Sequence, residues 1–187
     1  MTPIATRGRV WRLLILWLAG ADLRLTMLAV PPVLPLIHRD LGLSEKAIGA
    51  LTGLPVLLLG IAAIPGSLLI ARFRARRAAI AGVLFVAAVA AARGLNPSAA
   101  MLFAMTALMG AGIALLQPVL PTLVAEWFPA APGFATAVYA NGLLVGEAVP
   151  AAVTIPLVLP AVGGGWAAAM AVWSVPLVAT AAMIPRA

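Results

Sequence analysis

The sequence predicts an all-α membrane protein whose six transmembrane helices form two inverted groups of three. Three observations carry this. The chain is 64% hydrophobic and 9% charged over 187 residues, whereas soluble domains carry about 25% charged residues. One core in a chain of this size cannot bury so much apolar surface, so its solvent is a lipid bilayer. The basic residues are grouped between apolar runs, and a four-residue proline motif recurs at an offset close to half the chain.

A spanning helix needs about 20 mostly apolar residues. Six runs within a single domain over 1–187 qualify: Val10–Ile37, Ala47–Ala71, Ala78–Arg93, Ala99–Trp127, Phe134–Leu159 and Trp166–Ile184. The first opens with "RGRVWRLLILWLAGA", which has the charge and length of a signal peptide and an A-x-A site at Ala19–Ala21. Its apolar run continues to Ile37, so it reads as a span. The second follows "LGLSEKAIG", where Ser44 is placed to cap the helix and Glu45 to favour its first turn. The third is the shortest and follows the cluster Arg72, Arg74, Arg76 and Arg77. The fourth carries Gln117. The fifth follows "FPAAPG" and carries Tyr139, Asn141 and Glu147; its Gly142 and Gly146 form a small-xxx-small packing pair. The sixth follows the turn "VGGG".

Lys and Arg mark the cytoplasmic side of a span. Arg7, Arg9, Arg12, the Arg72–Arg77 cluster and Arg186 fall on one side, against Arg39, Lys46 and Arg93 on the other. Both termini are expected in the cytoplasm. Eleven Arg to one Lys, with abundant Ala, Gly and Pro, fits a GC-rich bacterium and hence its inner membrane. His38, between Ile37 and Arg39 at an interface, reads as a solvated loop residue.

"PVLP" occurs at Pro32–Pro35 and again at Pro118–Pro121, and Gly60 matches Gly146 at the same offset. The first copy lies in the outer half of span one and the second in the inner half of span four. That is the pattern of an inverted three-helix repeat. Each proline removes a backbone donor, so spans one and four should bend at related positions.

Charges inside the spans are the candidates for function, because one at the bilayer centre costs from about 2.5 to over 10 kcal/mol. Arg24 lies 12 residues beyond Arg12, Glu147 14 beyond Gly133 and Gln117 10 before Trp127. At 1.5 Å per residue these are depths of about 18, 21 and 15 Å. Asp22, two residues from Arg24, points about 200° away from it; with Arg24 facing the cavity it faces a neighbouring helix, hydrogen-bonded or protonated, and with Glu147 it is the candidate for proton coupling or an ion pair. Arg24 has two compatible readings: a cationic anchor for a compact anion, or an ion pair with Glu147 holding spans one and five together. Glu147 is accordingly a proton carrier or that structural partner. Asn141, Tyr139, Thr52 and Gln117 can donate or accept hydrogen bonds toward a solute, or between helices.

"DLRLTMLAVPPVLPLIHRDLGLSEKAIGALTGLPVLLLGI", "GAGIALLQPVLPTLVAEWFP" and "ATAVYANGLLVGEAVPA" resemble the N-terminal half of a major facilitator superfamily transporter, in its cyanate/nitroimidazole permease branch. The resemblance covers nearly the whole chain. It implies a secondary transporter, or half of one, moving a small anion or polar heterocycle by alternating access. It also implies that Arg24 binds the solute and that spans one, two, four and five line the cavity. In the superfamily the connection holding Arg72, Arg74, Arg76 and Arg77 helps gate the cytoplasmic side. There are departures. Asp22 stands where the branch has Asn, the connection lacks the superfamily's acidic residue, and six spans stand where the family has twelve. A second half is therefore expected, as another copy or a separate partner, with a proton as candidate coupling ion. The alternative is a truncated, non-transporting half that acts as an assembly or regulatory subunit or is a gene relic. Nucleic acid, cofactors and enzyme chemistry find no motif here: there is no cysteine, no G-x-S-x-G and no phosphate loop.

Overall fold

The computed structural model describes residues 3–72, 74–95 and 98–184, with the side chains of 3–7 and 62–72 outside the description. The described residues form helices and turns without strands. α1 (Pro3–Leu28) ends before a 3-10 turn at Pro31–Val33, and α2 (Leu34–Leu41) continues in its wake. Gly42, at φ 60°, closes α2 in the left-handed region that favours glycine. α3 (Glu45–Arg72) starts where the Ser44 hydroxyl accepts from the Ala47 N–H at 3.3 Å. α4 covers Ala75–Ala92. α5 (Ala99–Leu116) is capped by Ser98 and breaks at Gln117–Pro118, after which α6 (Val119–Trp127) follows. α7 (Pro132–Val153) runs into a π-helical turn at Thr154–Val158 and the short α8 (Leu159–Ala161). After the turn at Gly163 and Gly164 come α9 (Trp166–Val172) and α10 (Val175–Met183). Five stretches among the described residues are long and apolar enough to cross a membrane. They are Gly8–Leu41, Ala75–Ala92, Ala99–Trp127, Pro132–Ala161 and Trp166–Met183. α3 adds a 28-residue helix.

Both copies of PVLP do the same local work. Pro32–Pro35 spans the restart of the chain into α2, and Pro118–Pro121 the restart into α6. Proline cannot donate to the preceding turn, so each helix stops and resumes. Two further irregularities carry no repeated motif. The π turn follows Pro150 and contains Pro156, and α10 restarts at Ser174 with Pro176 in its first turn. His38, read as a loop residue, lies in the last turn of α2, with Nδ1 4.0 Å from the Glu45 carboxylate.

The main core lies between α1, α4, α5, α6 and α10, with Ile15, Val83, Met109, Leu123 and Leu177 fully enclosed. A second cluster joins α2, α3, α5 and α9 through Ile37, Leu51, Leu102 and Met170. There the Trp166 indole N–H donates to Asp40 at 3.1 Å. At the other end of the bundle, Arg76 Nη2 donates to the Ile184 carbonyl at 3.0 Å, tying the start of α4 to the end of α10.

The most extensive helix contact is between α1 and α7. The two run parallel: Trp17 meets Asn141, and Arg24 meets Glu147 seven and six residues later. Their backbones come close because glycine stands at each crossing. A side chain at Gly142 would strike Trp17, one at Gly146 would strike Ala21, and one at Gly20 would strike the Tyr139 carbonyl. Gly142→Val is therefore expected to separate the pair at a cost of about 1–3 kcal/mol, lowering the melting temperature by roughly 5–10 °C. Gly60→Val, where an added Cβ meets nothing, should leave it unchanged. Thermal melts of the two purified variants in detergent decide this.

Candidate functional site

The glycine seam fixes the depth at which α1 and α7 present polar groups to each other. Arg24 Nε lies 3.4 Å from Glu147 Oε1. Their side chains are 31% and 41% exposed, so the pair faces an opening, not the packed interior. One long contact through Nε satisfies little of a guanidinium that carries five donors. Beside the pair is an open cavity of about 480 Å³ lined by Leu28, Pro31, Pro32, Glu147, Ala151 and Ile155. Toward the start of α1, the Trp17 indole N–H donates to Asn141 Oδ1 at 2.9 Å.

The other sequence candidates fall in different places. Tyr139 is half-buried against the main core, and its carbonyl faces Gly20. Thr52 is exposed on α3 and donates to the Ile48 and Gly49 carbonyls at 3.2 and 3.1 Å. Gln117 is exposed at the α5–α6 break. Among the described residues it forms no hydrogen bond with Arg24 or Glu147. Arg74 and Arg77 are exposed at the start of α4, Arg76 is held by Ile184, and the Arg72 side chain lies outside the described residues.

Asp22 is on the opposite face of α1. It is 2% exposed, its carboxylate lies beside the Thr180 hydroxyl of α10, and Oδ2 has no partner. No cation stands within 4 Å of it among the described residues.

The place of Arg93 escapes a reading of the sequence. Arg93 looks like an outer-loop residue at the end of a span. In the structure it is 0% exposed, and its Nη2–H donates to the Thr26 carbonyl at 2.9 Å. That carbonyl belongs to the last turn of α1, where the final four carbonyls lack helical donors. Nε and Nη1 of Arg93 have no partner. The only sequence signal was an Arg closing an apolar span directly before Gly94, a glycine whose Cα packs on the Ala167 carbonyl of α9. With Arg93 enclosed, the basic residues exposed on that side reduce to Arg39 and Lys46. Apart from Arg12 and Arg76 near the starts of their apolar runs, the buried and half-buried charges among the described residues are two acids, Asp22 and Glu147, and two bases, Arg24 and Arg93.

A family model, the Major Facilitator Superfamily, matches residues 14–186. The cyanate transport protein CynX of Escherichia coli (strain K12) is 31% identical over 166 residues, which is 89% of this chain and 43% of the relative. The 2-nitroimidazole transporter of the same organism is 30% identical over 169 residues, 90% of this chain and 42% of the relative. An uncharacterized transporter of Bacillus subtilis (strain 168), YycB, is 30% identical over 152 residues, 81% and 37% respectively. The chain spans well under half the length of these curated relatives.

The two interior charges on α1's far side should respond oppositely to removal. Arg93→Ala leaves a cavity and an unsatisfied carbonyl, and is expected to lower the melting temperature by roughly 5–10 °C. Asp22→Asn removes an uncompensated carboxylate and should hold or raise it. Paired melts of the two variants test both signs.

Proposed function

The chain belongs to the major facilitator superfamily, a family of membrane transporters, and from that premise we propose that it is one half of a secondary transporter. Its solute is a small anion or polar heterocycle of the cyanate or nitroimidazole kind, moved by alternating access across the bacterial inner membrane with both termini cytoplasmic. The observation that carries this reading is the Arg24–Glu147 pair, half-exposed and weakly joined beside an open cavity.

The chemistry follows from the geometry. A guanidinium with unused donors suits a compact anion or a polarised heteroatom. A solute that reaches Arg24 competes with Glu147 for it. The four interior charges sum to zero when all are ionised, so an arriving anion leaves one uncompensated negative charge. A proton taken up by the displaced Glu147 restores neutrality. Proton coupling in this scheme is a consequence of the charge count, with Glu147 as carrier. Asn141, held by Trp17, offers its amide N–H₂ at the same seam, and Thr52, Tyr139 and Gln117 are the further hydrogen-bonding candidates. Arg72, Arg74, Arg76 and Arg77 form the cytoplasmic gate, which Arg76 anchors to the end of α10.

Transport sites of this class lie between repeats that rock against each other, so a second half completes the pathway, as another copy or a separate partner. Native mass spectrometry of gently extracted protein should show about twice 19.0 kDa or the mass of a bound second chain; monomer alone would favour the non-transporting subunit. In cells, Arg24→Ala should reduce uptake at least tenfold with membrane insertion intact. Unchanged uptake would remove Arg24 as the anchor.

A further inference from the structure

A second, smaller cavity of about 140 Å³ lies between α1, α3 and α5, lined among others by Met27, Leu28, Pro31, Thr52 and Thr106. Thr106 is 1% exposed, and its hydroxyl has no partner. That is unusual in this chain. Thr26, Thr52, Thr122 and Thr180 each donate to the carbonyl four residues back, at 3.5, 3.2, 2.9 and 3.1 Å. A buried helical threonine commonly does this, because the back-bond satisfies its hydroxyl within its own helix. Thr106 forgoes the bond and lines a cavity instead.

The opposite wall is the interrupted end of α1. The helical donors for the Met27 and Leu28 carbonyls would come from residues 31 and 32, and both are proline. The cavity thus has the unpaired Thr106 hydroxyl on one wall and the proline-interrupted end of α1 on the other. Buried polar groups are almost always paired, and each exception calls for a cause. Leu28 and Pro31 line this cavity and also the open one that holds Glu147. Leu28 is one helical turn from Arg24. The two cavities therefore meet at the α1 break, with the charged pair on one side and Thr106 on the other.

We infer that the Thr106 cavity is a hydrogen-bonding subsite for the end of the solute remote from Arg24, and that Thr106 is its donor. It takes a compact, planar or linear polar group with an acceptor atom, and its volume excludes anything larger. The assignment rests on the transporter reading for the nature of the occupant.

Equilibrium dialysis of the purified full chain tests it, with cyanate ion and 2-nitroimidazole as probes and Arg24→Ala, Thr106→Val and Thr106→Ser as variants. Thr106→Val should weaken binding about five- to tenfold, the size of one lost hydrogen bond. Thr106→Ser should restore it, and the Thr106→Val melting temperature should not fall. If Arg24→Ala loses binding while Thr106→Val binds like the wild type, the subsite is overturned and the anchor stands. If only Thr106→Val is weakened, the subsite stands and the anchor falls. A melting temperature more than 5 °C lower in Thr106→Val would make the hydroxyl a structural group and overturn the subsite. No binding of either probe to the wild type would overturn both readings.

Discussion

A helix that breaks inside lipid has to find new partners for the backbone groups it releases, because no water is there to take them. This bundle breaks its helices repeatedly, and its polar architecture is arranged around that constraint. At the end of α1, the Thr26 carbonyl is met by the enclosed Arg93 guanidinium. The π turn after α7 places the Thr154 hydroxyl where the Trp173 indole N–H donates to it at 3.1 Å. Trp173 itself sits at the α9–α10 break and packs on Leu25 and Ala29, just before the α1 break. Three interrupted spans thus share one layer. Each irregularity supplies the surface or the donor that another needs.

The two faces of α1 are specialised by the same constraint. Asp22, Leu25, Thr26 and Ala29 look into the bundle and are all buried. Trp17, Gly20 and Arg24 look toward α7 across a seam with no side-chain layer between the backbones. Polar groups on the inner face are few and individually placed. Those on the α7 face are arrayed along the seam, Trp17 with Asn141 and Arg24 with Glu147.

Much of this was legible in the sequence, for reasons that are local. The apolar runs, Ser44 as a cap, and prolines that interrupt a span act through backbone chemistry within a few residues, so the PVLP copies could be read as bends. The 200° separation of Asp22 and Arg24 follows from helix geometry alone. That Arg24 and Glu147 meet could be posed only as one of two readings, since depth along a helix does not fix rotation about it. Arg93 and Thr106 were not legible. An arginine at a span end has the same local sequence whether it faces water or the bundle, and a threonine's missing back-bond leaves no trace in composition. The breaks at Thr154 and Ser174 were missed although Pro156 and Pro176 stand beside them, because neither proline belongs to a repeated motif.

The glycine seam between α1 and α7 also has a mechanical meaning. Two backbones in direct contact have no interposed rotamers through which to slide, so shear between them is stiff. Each glycine that brings them together removes one degree of compliance. The pair is a single beam, and Arg24 and Glu147 ride on it at fixed separation. Any change in the width of the adjoining cavity must then be concentrated at the ends of that beam, in the 3-10 turn after α1 and the π turn after α7, which touch one another. The prolines that interrupt the helices and the glycines that fuse them are complementary parts of one lever, its stiff arm and its flexure.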